Sequence, residues 1–376
     1  MIHNIARATE MKIAIMGIRG IPASYGGFET LAEELAPRLV AKGHDVTVYG
    51  RSNIIRYKGS HYKGVRLKIL PTISQKYLDT VVHTFLSILD SFFEYYDIIL
   101  MCNAANSIYS FIPRITGKKV IVNVDGIERK RKKWSWIGKL WYLFGEIFSV
   151  IFPDAIVSDA KVIQDYYKER YKVDSASIPY GACCQKVQSV DVLNKYKIVP
   201  KEYFLYVSRL EPENNAQLVI NAFEQVETDK KLVIVGGAPY AEHYISLLKR
   251  TKDPRIIFTG FVFGKGYREF QSHAYSYIHA TEVGGTHPAL VEAMGFGNCV
   301  IVNGTPENIE ALGDAGIIYR TNDADDLRKK MEFVIQNPQV IQEFGRKAQM
   351  KTAIENSWDR IADEYEKLFI RLKKTP

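Results

Sequence analysis

One stretch of the sequence combines a glycine-rich turn, a helix start and an acidic side chain in the way a phosphate-bearing ligand requires. It runs over residues 279–295 and contains Gly284, Gly285 and Thr286, followed by a helical pattern that includes Glu292. The first N–H groups of a helix have no partner within it, and the helix dipole favours negative charge there. We therefore expect Gly284, Gly285 and Thr286 to hold phosphate oxygens, and Glu292 to accept hydrogen bonds from ribose hydroxyls. A glutamate on the protein surface is the alternative for Glu292.

A second candidate segment precedes it in the same half of the chain. Arg209 follows a strand pattern and stands before a helical one, with Glu213 in the same connection. A guanidinium can bind a diphosphate through two parallel hydrogen bonds. Arg209 is therefore predicted to stabilise a diphosphate, and Glu213 is predicted to be a further ligand-binding residue.

The N-terminal half offers another glycine-rich connection, GIRGIPASYGGFET at residues 17–30, which contains Arg19, Gly26 and Gly27. Between a strand and a helix, such a turn leaves backbone N–H groups available to anionic oxygens, and Arg19 adds a charge. A tight turn that needs positive φ is the alternative. The motif is not G-x-G-x-x-G, and the strand at 45–49 has no acidic residue at its end to hold a ribose, so a dinucleotide is disfavoured.

Asp125 ends the strand pattern VNV and is followed by a glycine and a basic run, RKRKKWSW. Strand ends of this kind point into the ligand crevice, so Asp125 is a candidate active-site group; a turn-capping aspartate is the alternative. The segment from Arg129 to Trp141 interleaves cations with tryptophans, which fits an anionic membrane surface. A solvated charged loop is the alternative, and nucleic acid ranks lower because nothing else resembles a nucleic-acid-binding fold. Lys130 is the cation of this run that is best able to reach a ligand.

The composition limits the remaining possibilities. The chain has 376 residues, a formal net charge of +8 and four cysteines without metal-site spacing, which favours acidic partners and a reducing, cytoplasmic compartment. The most apolar stretch, at 140–157, is broken by Glu146, Pro153 and Asp154, so no membrane span is expected. The string Asp323-Ala324-Asp325 is interpreted as helix capping rather than as a metal site.

These residues need a scaffold, and the alternation of β-branched runs with helical patterns predicts an α/β fold with two doubly wound sheets. We expect an N-terminal Rossmann-like domain at 1–180, a C-terminal nucleotide-sugar-binding domain at 181–355, and a helix at 356–376 that returns to the first domain. The two domains should face each other across a cleft. The predicted strands are 12–17, 45–49, 65–69, 98–102, 119–124, 155–158, 203–207, 231–235, 256–258, 277–279, 299–303 and 317–319. A long apolar helix is predicted at 76–96.

Taken together, the motifs resemble the retaining glycosyltransferases of family 4, over almost the whole chain. The landmarks are SRLEPENN, VGGAP, GTHPALVEAMGFGN and ENSWDRIADEYEKLF in the second half, while GIRGIPASYGGFET and VNVDGIERKRKKW resemble a bacterial rhamnosyltransferase branch. Two departures from the broad family stand out: Gly284 occupies the position of its first glutamate, and Asn214 that of its phosphate-binding lysine. Lys130 or Arg19 could supply the missing charge. Asp125 replaces the histidine that many members have.

The resemblance implies the GT-B fold and metal-independent transfer of a sugar with retention. The substrate would be a dTDP- or UDP-linked sugar, best L-rhamnose from dTDP-rhamnose, with no further cofactor. The acceptor would be a lipid-pyrophosphate-linked saccharide of a cell-surface polysaccharide, reached at the inner face of the plasma membrane. Two alternatives are a sugar-nucleotide epimerase of the same fold, which needs no acceptor, and a non-catalytic nucleotide-sugar- or lipid-binding subunit.

Overall fold

The computed structural model describes residues 10–24, 26–75, 78–132, 134–183, 185–238 and 241–375. The chain forms two compact units. The first comprises Met1–Lys130, Trp134–Tyr180 and Trp358–Pro376, and the second comprises Arg131–Lys133 and Gly181–Ser357. A short piece of the basic run thus groups with the second unit, although the residues on both sides of it in sequence group with the first.

The first unit is built on an eight-stranded sheet with the order β3-β4-β2-β1-β5-β6-β7-β8, parallel except for the β3–β4 pair. Its central strands are apolar and buried along their whole length, as expected for a parallel sheet covered on both faces. The strands are β1 (Lys12–Met16), β2 (Asp45–Arg51), β3 (His61–Tyr62), β4 (Val65–Leu70), β5 (Ile98–Cys102), β6 (Lys119–Asn123), β7 (Ala155–Ser158) and β8 (Ala176–Ser177).

Helices cover this sheet, and the last one comes from the end of the chain. Its apolar residues recur at helical spacing and enter the same core cluster as β1 and β2, so the amphipathic C-terminal pattern becomes a packing face. The helices are α1 (Gly27–Ala41), α2 (Asp79–Ser91), α3 (Phe111–Ile115), α4 (Trp136–Ile151), α5 (Lys161–Tyr171) and, at the C-terminal end, α14 (Trp358–Lys374).

The second unit has a six-stranded parallel sheet with the order β11-β10-β9-β12-β13-β14 and a hydrophobic core cluster on each face. Its strands are β9 (Tyr203–Val207), β10 (Lys231–Val235), β11 (Ile256–Gly260), β12 (Ser276–His279), β13 (Cys299–Asn303) and β14 (Ile317–Tyr319). Its helices are α6 (Asp191–Lys195), α7 (Ala216–Glu224), α8 (Glu242–Leu248), α9 (Gly264–His273), α10 (Pro288–Gly295), α11 (Pro306–Leu312), α12 (Ala324–Gln336) and α13 (Pro338–Glu355).

The predicted α/β class with two Rossmann-like sheets is confirmed, and every predicted strand is present with small shifts at its ends. The two-residue strands β3 and β8 were not predicted, because so short a run carries no periodicity. The helix expected at 76–96 is shorter, spanning Asp79–Ser91, and Lys76 and Tyr77 lie outside the described residues. None of the helices in the described part of the chain combines the length and hydropathy that crossing a bilayer requires.

Candidate functional site

In the second unit, the loop between β12 and α10 is shaped by a histidine that the sequence did not single out. His287 precedes the first turn of α10, and a β-carbon on Gly284 would lie 2.6 Å from its Nε2 atom. A side chain at position 284 would therefore require this imidazole ring to move. Gly285 and Thr286 are buried in the same turn, directly before the helix N-terminus. The predicted anion-binding turn is thus a compact element with His287 packed against it.

Two histidines adjoin each other here and stay neutral. The ring centroids of His279 and His287 are 4.9 Å apart. Burial lowers the pKa of His279 to about 3. The pKa of His287 is held well below its ordinary value, first by burial and then by His279 and the positive charges of Arg131 and Arg209. An imidazole next to two guanidinium groups marks a place where an anion is favoured over a cation.

Arg131 is one of these two guanidinium groups, and it belongs to the short segment that groups with the second unit. Its side chain is 3% exposed, and its Nη1 atom is 3.7 Å from Oε1 of the fully buried Glu213. The next residue, Lys132, places its Nζ atom 2.6 Å from Oε1 of Glu282. Lys130, the cation favoured from sequence, instead has its Nζ atom 5.9 Å from the ring centroid of Tyr166 in the first unit. The structure therefore brings Arg131 rather than Lys130 to this group.

Arg209 is presented by a loop that Asn214 closes. The Asn214 side-chain amide donates a 2.6 Å hydrogen bond to the backbone carbonyl of Arg209, and the backbone carbonyl of Asn214 accepts one from the Tyr206 hydroxyl group. The Arg209 side chain is about one-third exposed, with Nε 3.9 Å from a carboxylate oxygen of Glu211. Asn214 is nearly buried, so it shapes the backbone at this position instead of extending a charge as a lysine would.

Glu292 has a partner that sequence reasoning missed. The hydroxyl group of Tyr267, on α9, donates a 2.5 Å hydrogen bond to Oε2 of Glu292 and accepts one from Gln271. Burial, and then the Glu292 charge, raise the pKa of Tyr267 well above its ordinary value, so the tyrosine stays a donor. No local signal in the sequence links positions 267 and 292, because they lie on different helices. The contact fixes the carboxylate that was predicted to hold a ribose.

In the glycine-rich connection of the first unit, carboxylates accept hydrogen bonds from two backbone N–H groups, so the expectation of available N–H groups does not hold at Arg19 and Ala23. Glu29 accepts a 2.8 Å hydrogen bond from the backbone N–H of Arg19, and Glu33 accepts one of 2.7 Å from Ala23. Gly26 precedes α1, whose first residue is Gly27, and buried Glu29 lies in its first turn. A phosphate at this helix start would meet a carboxylate that already occupies the favourable position.

Asp125 lies at the carboxyl end of β6 in the left-handed region, with φ at 56°. Its backbone N–H donates to the side chain of Asn123 at 3.1 Å, so Asn123 supports this turn. The negative charge of Asp125 contributes, after burial, to raising the pKa of Tyr180 and of Tyr365, which shows that both tyrosines are near. Asp159, which follows the adjoining strand β7, affects the same two tyrosines, and the sequence analysis did not single it out.

The predicted membrane segment divides into an inward part and an outward part. Arg129 donates hydrogen bonds to Glu146 at 2.8 Å and to the Tyr166 hydroxyl group at 2.7 Å, so its guanidinium group is bound to residues of the first unit. Arg131 is buried as well. The expectation that the whole basic run faces an anionic surface is therefore wrong for these two arginines. Trp136, at the start of α4, is 74% exposed, and it begins an apolar outer face of this helix.

Among the described residues, no group of three or more histidine, cysteine or acidic side chains has an arrangement that could hold a metal ion. The Asp323 side chain accepts a hydrogen bond from the backbone N–H of Asp326, and Asp325 pairs with Arg328 and Lys329. The capping interpretation of this string is confirmed.

The fold thus belongs to the class with two Rossmann-like domains, the second of which gathers cations beside a helix N-terminus. Two sequence families match the chain: glycosyl transferases group 1 over residues 193–351, and a domain of unknown function (DUF1972) over residues 92–183. An uncharacterized glycosyltransferase of Methanocaldococcus jannaschii is 24% identical over 375 residues, covering 92% of this chain and 95% of that protein.

Solved structures show the same fold. Sucrose-phosphate synthase of Thermosynechococcus elongatus superposes with a TM-score of 0.81 at 17% identity, over 96% of this chain and 99% of that one. Anabaena HepE, solved in complex with UDP and glucose, gives a TM-score of 0.77 at 15% identity, with the same coverage. The chain has the GT-B fold class of two Rossmann-like domains. The match to the glycosyl transferases group 1 family lies within the second unit.

Proposed function

We propose that this enzyme moves a sugar from a nucleoside diphosphate onto an acceptor, and that the second unit holds the donor. The observation that carries this proposal is the arrangement around His287, where Arg209 and a second guanidinium group lie beside the N-terminus of α10. The bond between sugar and phosphate breaks only if the charge that develops on the diphosphate is stabilised. Groups fixed before the reaction stabilise this charge without reorganising.

Five of the predicted donor contacts have a place in this scheme. Arg209 and the N–H groups at Gly284, Gly285 and Thr286 would bind the diphosphate. Glu292, held by Tyr267, would accept hydrogen bonds from the ribose. HepE was solved with UDP, which supports a nucleotide ligand for a fold of this kind. The transferred sugar is proposed to be L-rhamnose from dTDP-rhamnose, on the strength of the N-terminal motifs.

Asp125 is proposed to act on the acceptor side, where it would orient the incoming hydroxyl group or assist removal of its proton. We further propose that transfer retains the anomeric configuration and needs no metal ion, because cationic side chains and a helix N-terminus perform the role that a bound cation would have. Attack by the acceptor on the face from which the diphosphate leaves requires no protein nucleophile.

The acceptor is proposed to be a lipid-linked saccharide at the inner face of the plasma membrane, in the assembly of a surface polysaccharide. Support comes from α4, whose outer face exposes Trp136, Ile137, Leu140 and Phe144 around Lys139. Amphipathic helices with such a composition lie in the headgroup region, with aromatic rings at the boundary and lysines on phosphates.

The test is a transfer assay with the full chain, a panel of labelled dTDP- and UDP-linked sugars, and a lipid-pyrophosphate-linked GlcNAc acceptor. We expect extended lipid with dTDP-rhamnose, in the presence of EDTA as well, and retention by NMR analysis of the new linkage. Arg209→Ala and Asp125→Ala should abolish most of the transfer, whereas exposed Lys168→Ala serves as the matched control on α5. Donor conversion without an acceptor would favour an epimerase instead and would overturn this proposal.

A further inference from the structure

Within the second unit, one buried ion pair joins the segment after Lys130 to the loops that carry the predicted donor contacts. Glu213 lies in the 3-10 turn Pro212–Asn214, directly after the Arg209 loop, and its backbone carbonyl accepts a 3.0 Å hydrogen bond from the N–H of Glu282. Glu213 is fully buried and Arg131 nearly so. The pair therefore lies where the two ligand-binding loops meet.

The contact between these two charges is loose. The 3.7 Å separation of Arg131 Nη1 and Glu213 Oε1 exceeds the 2.7–3.2 Å of a usual N–H···O hydrogen bond. Among the described residues, neither carboxylate oxygen of Glu213 has a hydrogen-bond partner. Burying an ion pair is costly unless good geometry and further hydrogen bonds compensate for lost hydration. The Glu213 carboxylate has neither a short contact nor a further hydrogen bond among the described residues, so this contact does little to offset the cost of burying it.

The surroundings of Arg131 indicate what the charge is for. Both Arg131 and Arg209 act on His287, which packs against Gly284 in the predicted phosphate-binding turn. Asn214, which is neutral and close to Arg209 in sequence, donates its side-chain amide to the Arg209 backbone carbonyl. The predicted phosphate-binding turn therefore has two arginines nearby. Arg209 comes from the loop after β9, and Arg131 comes from the segment after Lys130.

We propose that Arg131 is the second guanidinium group of the donor-diphosphate site, and that Glu213 holds it in position until the ligand arrives. This inference rests on the proposed function and deepens it. Phosphate oxygens form shorter, charge-assisted and often bidentate hydrogen bonds with arginine, which the loose contact with Glu213 lacks. Arg131 thus replaces the charge that Asn214 does not supply.

The experiment compares Glu213→Gln with the double variant Arg131→Met/Glu213→Gln. Both lack the carboxylate, so neither leaves it buried without its counter-ion, and they differ only in the guanidinium group. Binding of UDP or dTDP and of the matching nucleoside is measured by calorimetry on the full chain, with thermal unfolding as a check of folding. We expect the diphosphate to bind about 10- to 100-fold more weakly to the double variant, with nucleoside affinity unchanged.

Two further variants sharpen the test. Arg346→Met, at an exposed position on α13, carries the same substitution and should leave diphosphate binding as in the wild type. Lys130→Met examines the neighbouring cation and should weaken diphosphate binding less than the loss of Arg131 does in the comparison of the double variant with Glu213→Gln. Equal diphosphate affinities in Glu213→Gln and the double variant would overturn the inference alone. A wild-type chain that binds no nucleoside diphosphate and transfers no sugar would instead overturn the proposed function, and this inference with it.

Discussion

Acidification should destabilise the second unit through His279. This ring is 3% exposed, and burial lowers its pKa from the ordinary 6.5 to about 3. Between these two values the unfolded chain binds a proton that the folded chain does not, so the free energy of unfolding falls as the pH falls. The contribution is fully present above pH 6.5 and is lost progressively toward pH 3. From about pH 7 to about pH 5 this single histidine should remove ~2 kcal/mol.

The assay is urea unfolding at both pH values, monitored by tryptophan fluorescence and far-UV circular dichroism. His279→Phe keeps an aromatic ring beside Tyr277 but removes the titrating group, so this variant should lose about 2 kcal/mol less than the wild type on acidification. His243→Phe is the matched control, because His243 is exposed on α8 in the same unit. The free energy of unfolding of this variant should fall on acidification by as much as that of the wild type. If two unfolding transitions are resolved, the difference between wild type and His279→Phe should be found in the transition of the second unit.

Equal losses in wild type and His279→Phe would refute the reasoning, since they would mean that the folded protein protonates His279 at pH 5. The reasoning would also be refuted if His243→Phe and His279→Phe lost the same free energy of unfolding on acidification. The smaller loss would then result from replacing any histidine by phenylalanine and not from the burial of His279.

Four other changes test the site and the surface. Arg209→Ala should lower kcat about 100- to 1,000-fold in the transfer assay, because it removes one preorganised donor to the leaving diphosphate. Tyr267→Phe should raise the donor KM about tenfold and leave kcat nearly unchanged, since it releases the Glu292 carboxylate in ground state and transition state alike. Asn214→Ala should lower the free energy of unfolding by about 0.5–1.5 kcal/mol in urea titrations, because one of the hydrogen bonds to the Arg209 carbonyl is lost. Trp136→Ser should reduce co-sedimentation with anionic vesicles about tenfold, and no reduction would argue against α4 as the membrane-facing element.

The elements of the fold could be predicted because a parallel sheet covered on both faces imposes continuous apolar strands. The runs at β5 and β9 have no other explanation at their length, and the helical spacing of Trp358, Ile361 and Tyr365 specified a packing face. The ends of the strands were less certain, since the last residues of a strand depend on the hydrogen-bonding groups of the neighbouring strand. The helix at 76–96 was overestimated because apolar residues continue beyond Ser91, where the chain turns toward β5.

The site could be predicted only as far as its residues are local in sequence. Arg209 and the turn before α10 follow strands directly, and position alone suggested an anion site. Tyr267 contacts Glu292 from another helix, so the sequence around either residue carries no signal that predicts the contact. The glycine-rich connection misled for a similar reason: glycines signal an available backbone, but Glu29 and Glu33 take up two of its N–H groups from the following helix.

The basic run shows why a cluster of charges in sequence is a weak guide to a charged surface. Consecutive side chains of an irregular segment point in different directions, and here each finds a different partner. Arg129 binds Glu146 in the first unit, while Arg131 and Lys132 approach Glu213 and Glu282 in the second. Three of the cations are thereby compensated at short range, so they add little to the field outside the protein. Attraction to an anionic membrane must then come from the exposed apolar residues of α4 and the lysines that remain, and it should be less sensitive to salt than the sequence suggests.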